Sequence, residues 1–589
     1  MRNTRAASLK IGYQHIPFSL LQNDAPQTLK PSNPQTFKPI QLLVTMSLNH
    51  KSIFTAIALL ALSHVVIAQK DKVTGSVDIY KDFDAHLLES NKINLTPTLP
   101  PIDTTTQKQD YIVPARPLSL SYPTPKLRPI AMKSGKKDDT FNGYAKAGAG
   151  IPKQFWGELG YFFSAEDKFD GKAWFRHHSL NNSDNRENQR FFNNDFLLNG
   201  NVYLSQNLAV EGNVGYSYDR IHFYGYNSDT LSFSEERTRQ DVKILDLGGR
   251  LFNKERSDMD LNFHIAPKFY LLNDYYANKE TGLALDMGAT KWFAEKHPLT
   301  FNIRTDNTTF EDTVKQKLNN IYLQPSFTFH SDIIRIKVGG NFASNRDEFT
   351  IFPDAELTLR LIGNGIQIFG GAGGDLRKNT YRTMLDYNPF NQVRGVTLRN
   401  TEYRNYYAGA KGDLGFLEYS GQFTYAEAKD LALFQTKFTP EGITRFQVVY
   451  DDATITNVQG TVKLNLFKQS LALIGTLSQN LTFEPANESK TWGLPQTEWN
   501  FNGVVSVLDG KAEVRGGLYI ADGIWFKDIE GVSRQGDVLL DLNAGGNFYF
   551  SKNIGAFVNV NNILNNKRER WYNYPMVGLN FLVGLTARF

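Results

Sequence analysis

The chain contains no cysteine. Disulfides, thiolate metal sites and cysteine nucleophiles are therefore excluded, and so is lipoprotein-type acylation. A strong charge of either sign is missing too. Against 64 Lys and Arg stand 60 Asp and Glu, and the resulting +4 is too small to argue for a nucleic-acid partner. The chain also lacks an apolar run of the ~20 residues that a membrane-spanning helix needs; the clearest run, Ile53 to Leu62, falls short. There is no Gly-rich phosphate loop, no HExxH and no nucleophile elbow, so the sequence nominates no catalytic residue, cofactor or metal. His177 and His178 are adjacent in an expected strand, point to opposite faces and cannot share an ion. The acidic pairs Asp138-Asp139 and Asp451-Asp452 read as solvated charge at strand ends or in loops.

What is present is aromatic residues at 13%, 46 Gly and 42 Phe within a modest overall hydrophobicity. That mix suits a wall that is apolar on one side and polar on the other. The last fourteen residues show it best. Val577, Leu579, Phe581, Val583, Leu585, Ala587 and Phe589 alternate with Gly578, Asn580, Leu582, Gly584, Thr586 and Arg588, the period of a two-faced strand. Leu208–Asp219, Val458–Leu466, Lys511–Ile520 and Leu540–Phe550 alternate in the same way. From Phe141 onward such segments recur about every 20 residues, with no helix expected, and short connections alternate with long ones. The short ones include 205–207, 363–365, 467–470, 508–510 and 551–553; the long ones are 181–195, 226–238, 378–400, 483–496 and 565–575. The fold expected is all-β, a transmembrane antiparallel β-barrel of about 22 strands, with centres running from 145 to 582. Trp156, Trp174, Trp292, Trp499 and Trp525 are candidates for interfacial belts.

Before the barrel the composition changes twice. Residues 1–45 are polar and aperiodic, as expected of a mis-called start or a disordered stretch. Residues 46–68 read as a secretory signal peptide, with Lys51 as the positive flank and Val66-Ile67-Ala68 as the cleavage site. Residues 69–140 are crowded with proline (Pro97, Pro100, Pro101, Pro114, Pro117, Pro123, Pro125 and Pro129) and nearly free of glycine. Such a periplasmic segment is extended and poor in ladder pairing. It either packs on a host surface, the barrel lumen included, or hangs as a tail.

The stretch from Ala556 to Lys567 (AFVNVNNILNNK), followed by a loop and a terminal strand ending in Phe589, resembles the C-terminal end of TonB-dependent receptors. The apolar–Asn alternation running into Asn562-Ile563 carries the resemblance, and the terminal Phe589 resembles the signal read by the barrel assembly machinery. The Ala68-Gln69 junction and the Asn- and Tyr-rich loops look like proteins of Bacteroidota. The resemblance implies an outer-membrane location, lipid contact, assembly by that machinery and solute transport. Residues 69–140 depart from it, being too short and too poor in glycine for the family's plug domain, and no TonB box is evident. The chain is thus read as a receptor barrel apparently without its plug, with a plug-bearing or periplasmic protein as the expected partner. An accessory or scaffold barrel bound to an assembly or secretion complex is the alternative. A lumen of this width needs occlusion, and the loop 378–400 is the best candidate to fold inward. Lys463, Lys511, Glu513, Arg515, Asp541 and Arg588 are expected on the lumen face, as a polar wall able to tune passage.

Overall fold

The computed structural model describes residues 141–589, apart from 166–167, 205–206, 346–347, 468–469 and 509. The expectations for residues 1–45, 46–68 and 69–140 lie outside the described residues. The wall begins with β1 (Gly143–Ile151), β2 (Gln154–Ala165), β3 (Phe169–Asn181), β4 (Arg190–Tyr203), β5 (Leu208–His222), β6 (Arg239–Asn253) and β7 (Leu261–Asp274). It continues through β8 (Lys279–Phe293), β9 (His297–Glu311), β10 (Lys315–His330), β11 (Ile334–Asn345), β12 (Glu348–Ile362), β13 (Ile366–Asn379) and β14 (Arg399–Asp413). It is completed by β15 (Leu417–Phe438), β16 (Thr444–Leu466), β17 (Leu471–Pro485), β18 (Thr497–Val507), β19 (Ala512–Asp522), β20 (Leu539–Tyr549), β21 (Ile554–Asn561) and β22 (Asn580–Arg588). These form one 22-stranded sheet. It closes where β22 pairs antiparallel with β1, from Arg588↔Tyr144 to Phe581↔Ile151. Every expected strand centre falls inside one of these strands.

Closure satisfies the backbone without water, which is what lipid demands. The alternation then decides which side meets lipid. On β22, Phe581, Val583 and Leu585 are 41%, 51% and 61% exposed, and the same exposed apolar set recurs around the wall, as in Phe155 and Leu159 of β2 or Val338 of β11. A closed cylinder with an apolar exterior is an integral protein of the cell outer membrane.

The chain ends lock together: Gly143 N donates to Phe589 O at 2.8 Å and Phe589 N to Gly143 O at 2.9 Å. Connections on that side are short, such as 294–296, 363–365 and 414–416, and mark the periplasmic side. The opposite side carries the longer loops 182–189, 223–238, 380–398, 486–496, 523–538 and 562–579. Several boundaries differ from expectation. Loop 182–189 is shorter because β4 already begins at Arg190, and β17 runs on to Pro485. Loop 523–538, which alternation did not flag, carries its own small hairpin, Trp525–Lys527 against Ser533–Gln535. A seven-residue helix, Tyr381–Tyr387, stands where none was expected; Thr380 and Thr383 form a capping box at its start.

The belt assignment is largely overturned. Trp156 alternates with lipid-facing Phe155, so it points inward and packs against His178. Trp174 also points inward and donates to Glu158, and Trp292 donates to Asn262. Trp525 lies in an outer loop; Trp499 alone shares a face with exposed Phe501.

One junction in the wall is incomplete. β12 and β13 pair only from Ala355↔Ala372 to Ile362↔Ile366. Beyond, β12 stays bonded to β11 as far as Glu348↔Asn345, and β13 to β14 as far as Asn379↔Arg399. The upper part of β13 turns into the lumen instead of meeting β12. Its Leu376 packs with Tyr322, Ala343 and Phe352 on the inner side of β10–β12. Lys378 pairs with Asp306 of β9 and donates to Thr308 at 2.6 Å. Asn341 Nδ2 donates to Gly374 O at 3.1 Å, and the Tyr322 hydroxyl to Leu376 O at 3.4 Å, so side chains take carbonyls that the absent neighbour strand leaves. The bend falls in a glycine run, Gly370, Gly371, Gly373 and Gly374. A Cβ on Gly374 would collide with the Phe352 ring and the Tyr403 carbonyl, so only glycine fits there.

The two faces make unequal demands. Val583→Arg, on the lipid face of the closing strand, should cost about 2–4 kcal/mol if it sits near the bilayer midplane, whereas inward-facing Lys463→Arg should be near neutral. Urea titration of the barrel refolded into vesicles checks this.

Candidate functional site

The outer mouth is where the chain gathers its unassigned side chains. Loop 380–398 crosses it. Tyr381, Met384, Leu385, Val396 and Leu398 pack on Ile244, Leu272, Phe310 and Leu318, which belong to β6, β7, β9 and β10. Polar anchors fix the same segment. Arg382 makes a two-pronged pair with Asp246 of β6, at 2.6 and 3.0 Å, the geometry that gives guanidinium–carboxylate contacts their direction. Glu280 of β8 accepts from the backbone N–H of Tyr381 at 2.7 Å and of Arg382 at 3.1 Å. The Tyr381 hydroxyl donates to Asp274 at 2.7 Å; burial and that carboxylate push it well above the usual phenol range, so it stays a donor.

Farther on, the loop joins a second core. Tyr387, Phe390 and Val393 pack with Phe223 and Tyr226, with Phe434, Ile443 and Phe446, with Ile524 and Phe526, and with Trp571 and Tyr574. These residues come from loops 223–238, 380–398, 523–538 and 562–579 and from the β15–β16 hairpin. The Phe390 and Tyr574 rings stack 3.8 Å apart, and Tyr224 meets Tyr574 edge-on at 4.9 Å. Arg570 donates to Gly493 O at 3.1 Å and to the Tyr387 hydroxyl at 3.0 Å. Thr444 N donates to Gly225 O at 2.7 Å, and the Tyr574 hydroxyl to Thr444 O at 2.6 Å. Loops rooted on distant strands thus form one apolar lid across the mouth. Loop 380–398 folds inward, as its length had suggested.

The residues expected to line the lumen lie elsewhere. Lys463, opposite in alternation to exposed Val462, pairs with Glu418 at 3.1 Å. Glu513 and Arg515 share a face of β19 at 3.6 Å, and Arg515 also donates to Asn547 at 3.2 Å. Arg588 stacks on Tyr549 at 3.5 Å. Asp541 sits opposite Tyr519 in the β19–β20 register. Lys511 is not on the wall; it falls in the turn before β19. Apart from Asp541 these groups lie toward the periplasmic strand ends, and none of the six belongs to the lid. His178 faces inward beside Gln154, while His177 faces the other way, toward Asn194 and Ser179. Sequence reading missed Arg382, Asp246, Glu280, Arg570 and Tyr574. The usable signal was the glycine run before the longest loop.

The sequence matches no protein-family model and no curated protein. The structure does have solved counterparts. It is similar to the ferripyoverdine receptor of the outer membrane of Pseudomonas aeruginosa, at 12% identity over 77% of this chain and 72% of that one, with a TM-score of 0.55. The FrpB iron transporter from Neisseria meningitidis aligns at 10% identity over 77% and 82% of the two chains, with a TM-score of 0.58. The siderophore receptor PirA from Acinetobacter baumannii aligns at 10% over 76% and 80%, with a TM-score of 0.56. At such identities the likeness is one of fold: a 22-stranded outer-membrane β-barrel.

If Phe390 clamps the loop, Phe390→Ala should cost about 3–5 kcal/mol of packing. Amide protection in residues 380–398 should then fall in hydrogen exchange, with the wall strands unchanged.

Proposed function

We propose that this chain is a receptor-type transport barrel through which a solute crosses the cell outer membrane, shut at its outer mouth by its own loops. The observation that carries the reading is the lid: five segments of a receptor-fold barrel converge on one apolar core across the lumen. A purely structural barrel has no need of a lid anchored by ion pairs to the wall, whereas a conduit of this width has to be closed when idle. The three structural counterparts are named for siderophores or iron, so a ferric siderophore is the first solute to test. Lys463, Glu513, Arg515, Asp541 and Arg588 are proposed to give the passage its polar wall. Energy is left to a plug-bearing or periplasmic partner, which native pull-down would recover.

The test is single-channel current and siderophore uptake in vesicles. The full-length protein should be nearly silent. Replacing residues 381–398 by a short Gly-Ser linker should raise conductance at least tenfold, and deleting residues 69–140 as well shows whether that segment adds a second barrier. If neither deletion, singly or combined, passes ions or solute, the transport reading fails; stable co-purifying machinery without current would point to an accessory role instead.

Phe589 is proposed as the assembly signal. Phe589→Ala should lower the amount of folded barrel in outer-membrane fractions several-fold, read by heat-modifiable gel migration, while leaving the synthesised amount unchanged.

A further inference from the structure

The open junction between β12 and β13 is more than a gap. Continuing the register from Ala355↔Ala372 upward would set Asp354 opposite Gly373, Ile351 opposite Leu376 and Glu348 opposite Asn379. On the lipid face that register keeps apolar residues together up to Leu376 and sets Lys378 opposite Phe349 at the outer rim, where its long stem can carry the ammonium to the interface. Ile351 is on the lipid face, 64% exposed, and Leu376 shares the parity of lipid-facing Ile368. The two strands therefore hold seven unmade rungs in a register that puts Ile351 and Leu376 on the same face. In the present arrangement the same β13 residues are spent differently. Leu376 is buried behind β12, against Phe352, and Gly374 O and Leu376 O take side-chain donors from β11 and β10.

We propose that the β12–β13 junction is a two-state joint that works the lid. Unzipped, as here, upper β13, loop 380–398 and the start of β14 lie in the lumen. Zipped, residues 348–354 and 373–379 complete the wall and draw that segment outward, clearing the mouth. Backbone partners replace side-chain partners, so the two states exchange hydrogen bonds rather than losing them. The glycine run at 370–374 lets the strand take both paths. Lys378 and Arg382 hold the unzipped state through Asp306 and Asp246. Pro353, which has no N–H to give, leaves one bond of the zipped ladder unmade and keeps that state from becoming permanent.

This inference rests on the transport reading for its purpose but not for its test. The native chain has no thiol, so introduced pairs report without background. Ile351→Cys with Leu376→Cys lies across β12 in the unzipped state and comes together only when zipped. Asn320→Cys with Asn400→Cys replaces side chains in contact at 3.0 Å in the unzipped state. Both pairs are placed in the full-length protein in vesicles and treated with a short bifunctional thiosulfonate reagent, and folding is confirmed by heat-modifiable migration. The 351–376 pair should cross-link in a minor fraction. Gly374→Val, or Arg382→Ala should that variant not fold, should raise this fraction at least threefold and lower 320–400 linking in parallel. A folded barrel in which 320–400 links fully and 351–376 stays unlinked in every background overturns the joint. Because the readout is thiol proximity, absence of solute flux leaves this result untouched and counts only against transport.

Discussion

The structure depends on one constraint: inside a bilayer every backbone N–H and C=O has to find a partner in the protein. Around the wall, upper β12–β13 apart, that partner is the next strand, and the last has to return to the first. The β22–β1 ladder and the reciprocal bonds between Gly143 and Phe589 are therefore what allow the other 20 strands to exist. Side-chain placement follows from that ladder. With period two fixed by the pleat, one set of residues meets lipid and the other meets the lumen. The charged pairs Lys463–Glu418, Arg176–Asp195 and Lys337–Asp354 all fall on the inward set, where they meet one another instead of lipid.

Against that rule the β12–β13 junction stands out, and the sequence around it absorbs the violation. A buried carbonyl needs a donor wherever it lies, so Asn341 and Tyr322 reach over from neighbouring strands to the β13 backbone. Phe352, which an ordinary wall would point into the lumen, has upper β13 laid against it and is fully buried. The closeness of that contact explains Gly374: strand propensity would disfavour a glycine there, but a side chain would have no room.

The wall was legible in the sequence because alternation and closure are local rules repeated 22 times. What lies across the mouth was not, because it is made by residues far apart in sequence whose packing leaves no periodic trace. Tyr574 and Phe390 meet from loops separated by more than 180 positions. The tryptophans show a subtler limit. Composition placed them at the interfaces, yet Trp156 follows Phe155 and precedes an apolar set at 159 and 161, so its own strand already assigned it to the inner side. The helix Tyr381–Tyr387 is too short for a periodic signal, and only Thr380 and Thr383 mark its start. The glycine run in β13 was visible but read as ordinary strand, since weak β propensity alone does not say which way a strand bends.

The lid also limits how the mouth can open. Its core is aromatic and closely stacked, and separating groups such as Trp571, Phe390 and Tyr574 from one another costs several kcal/mol in total. Thermal motion alone would leave the open form rare. A ligand or partner shifts such an equilibrium only by as much as it prefers one state over the other, so whatever opens this mouth has to bind the open form better. The anchors suggest where that preference could be applied. Arg382–Asp246 and Lys378–Asp306 are charge-assisted contacts that a competing charge can loosen, whereas the aromatic core offers no such handle. An arriving solute or protein that engages the polar anchors first would weaken the flap at β6 and β9. It would leave the stacked rings for last, and these would follow once the strand beneath them had a wall to join.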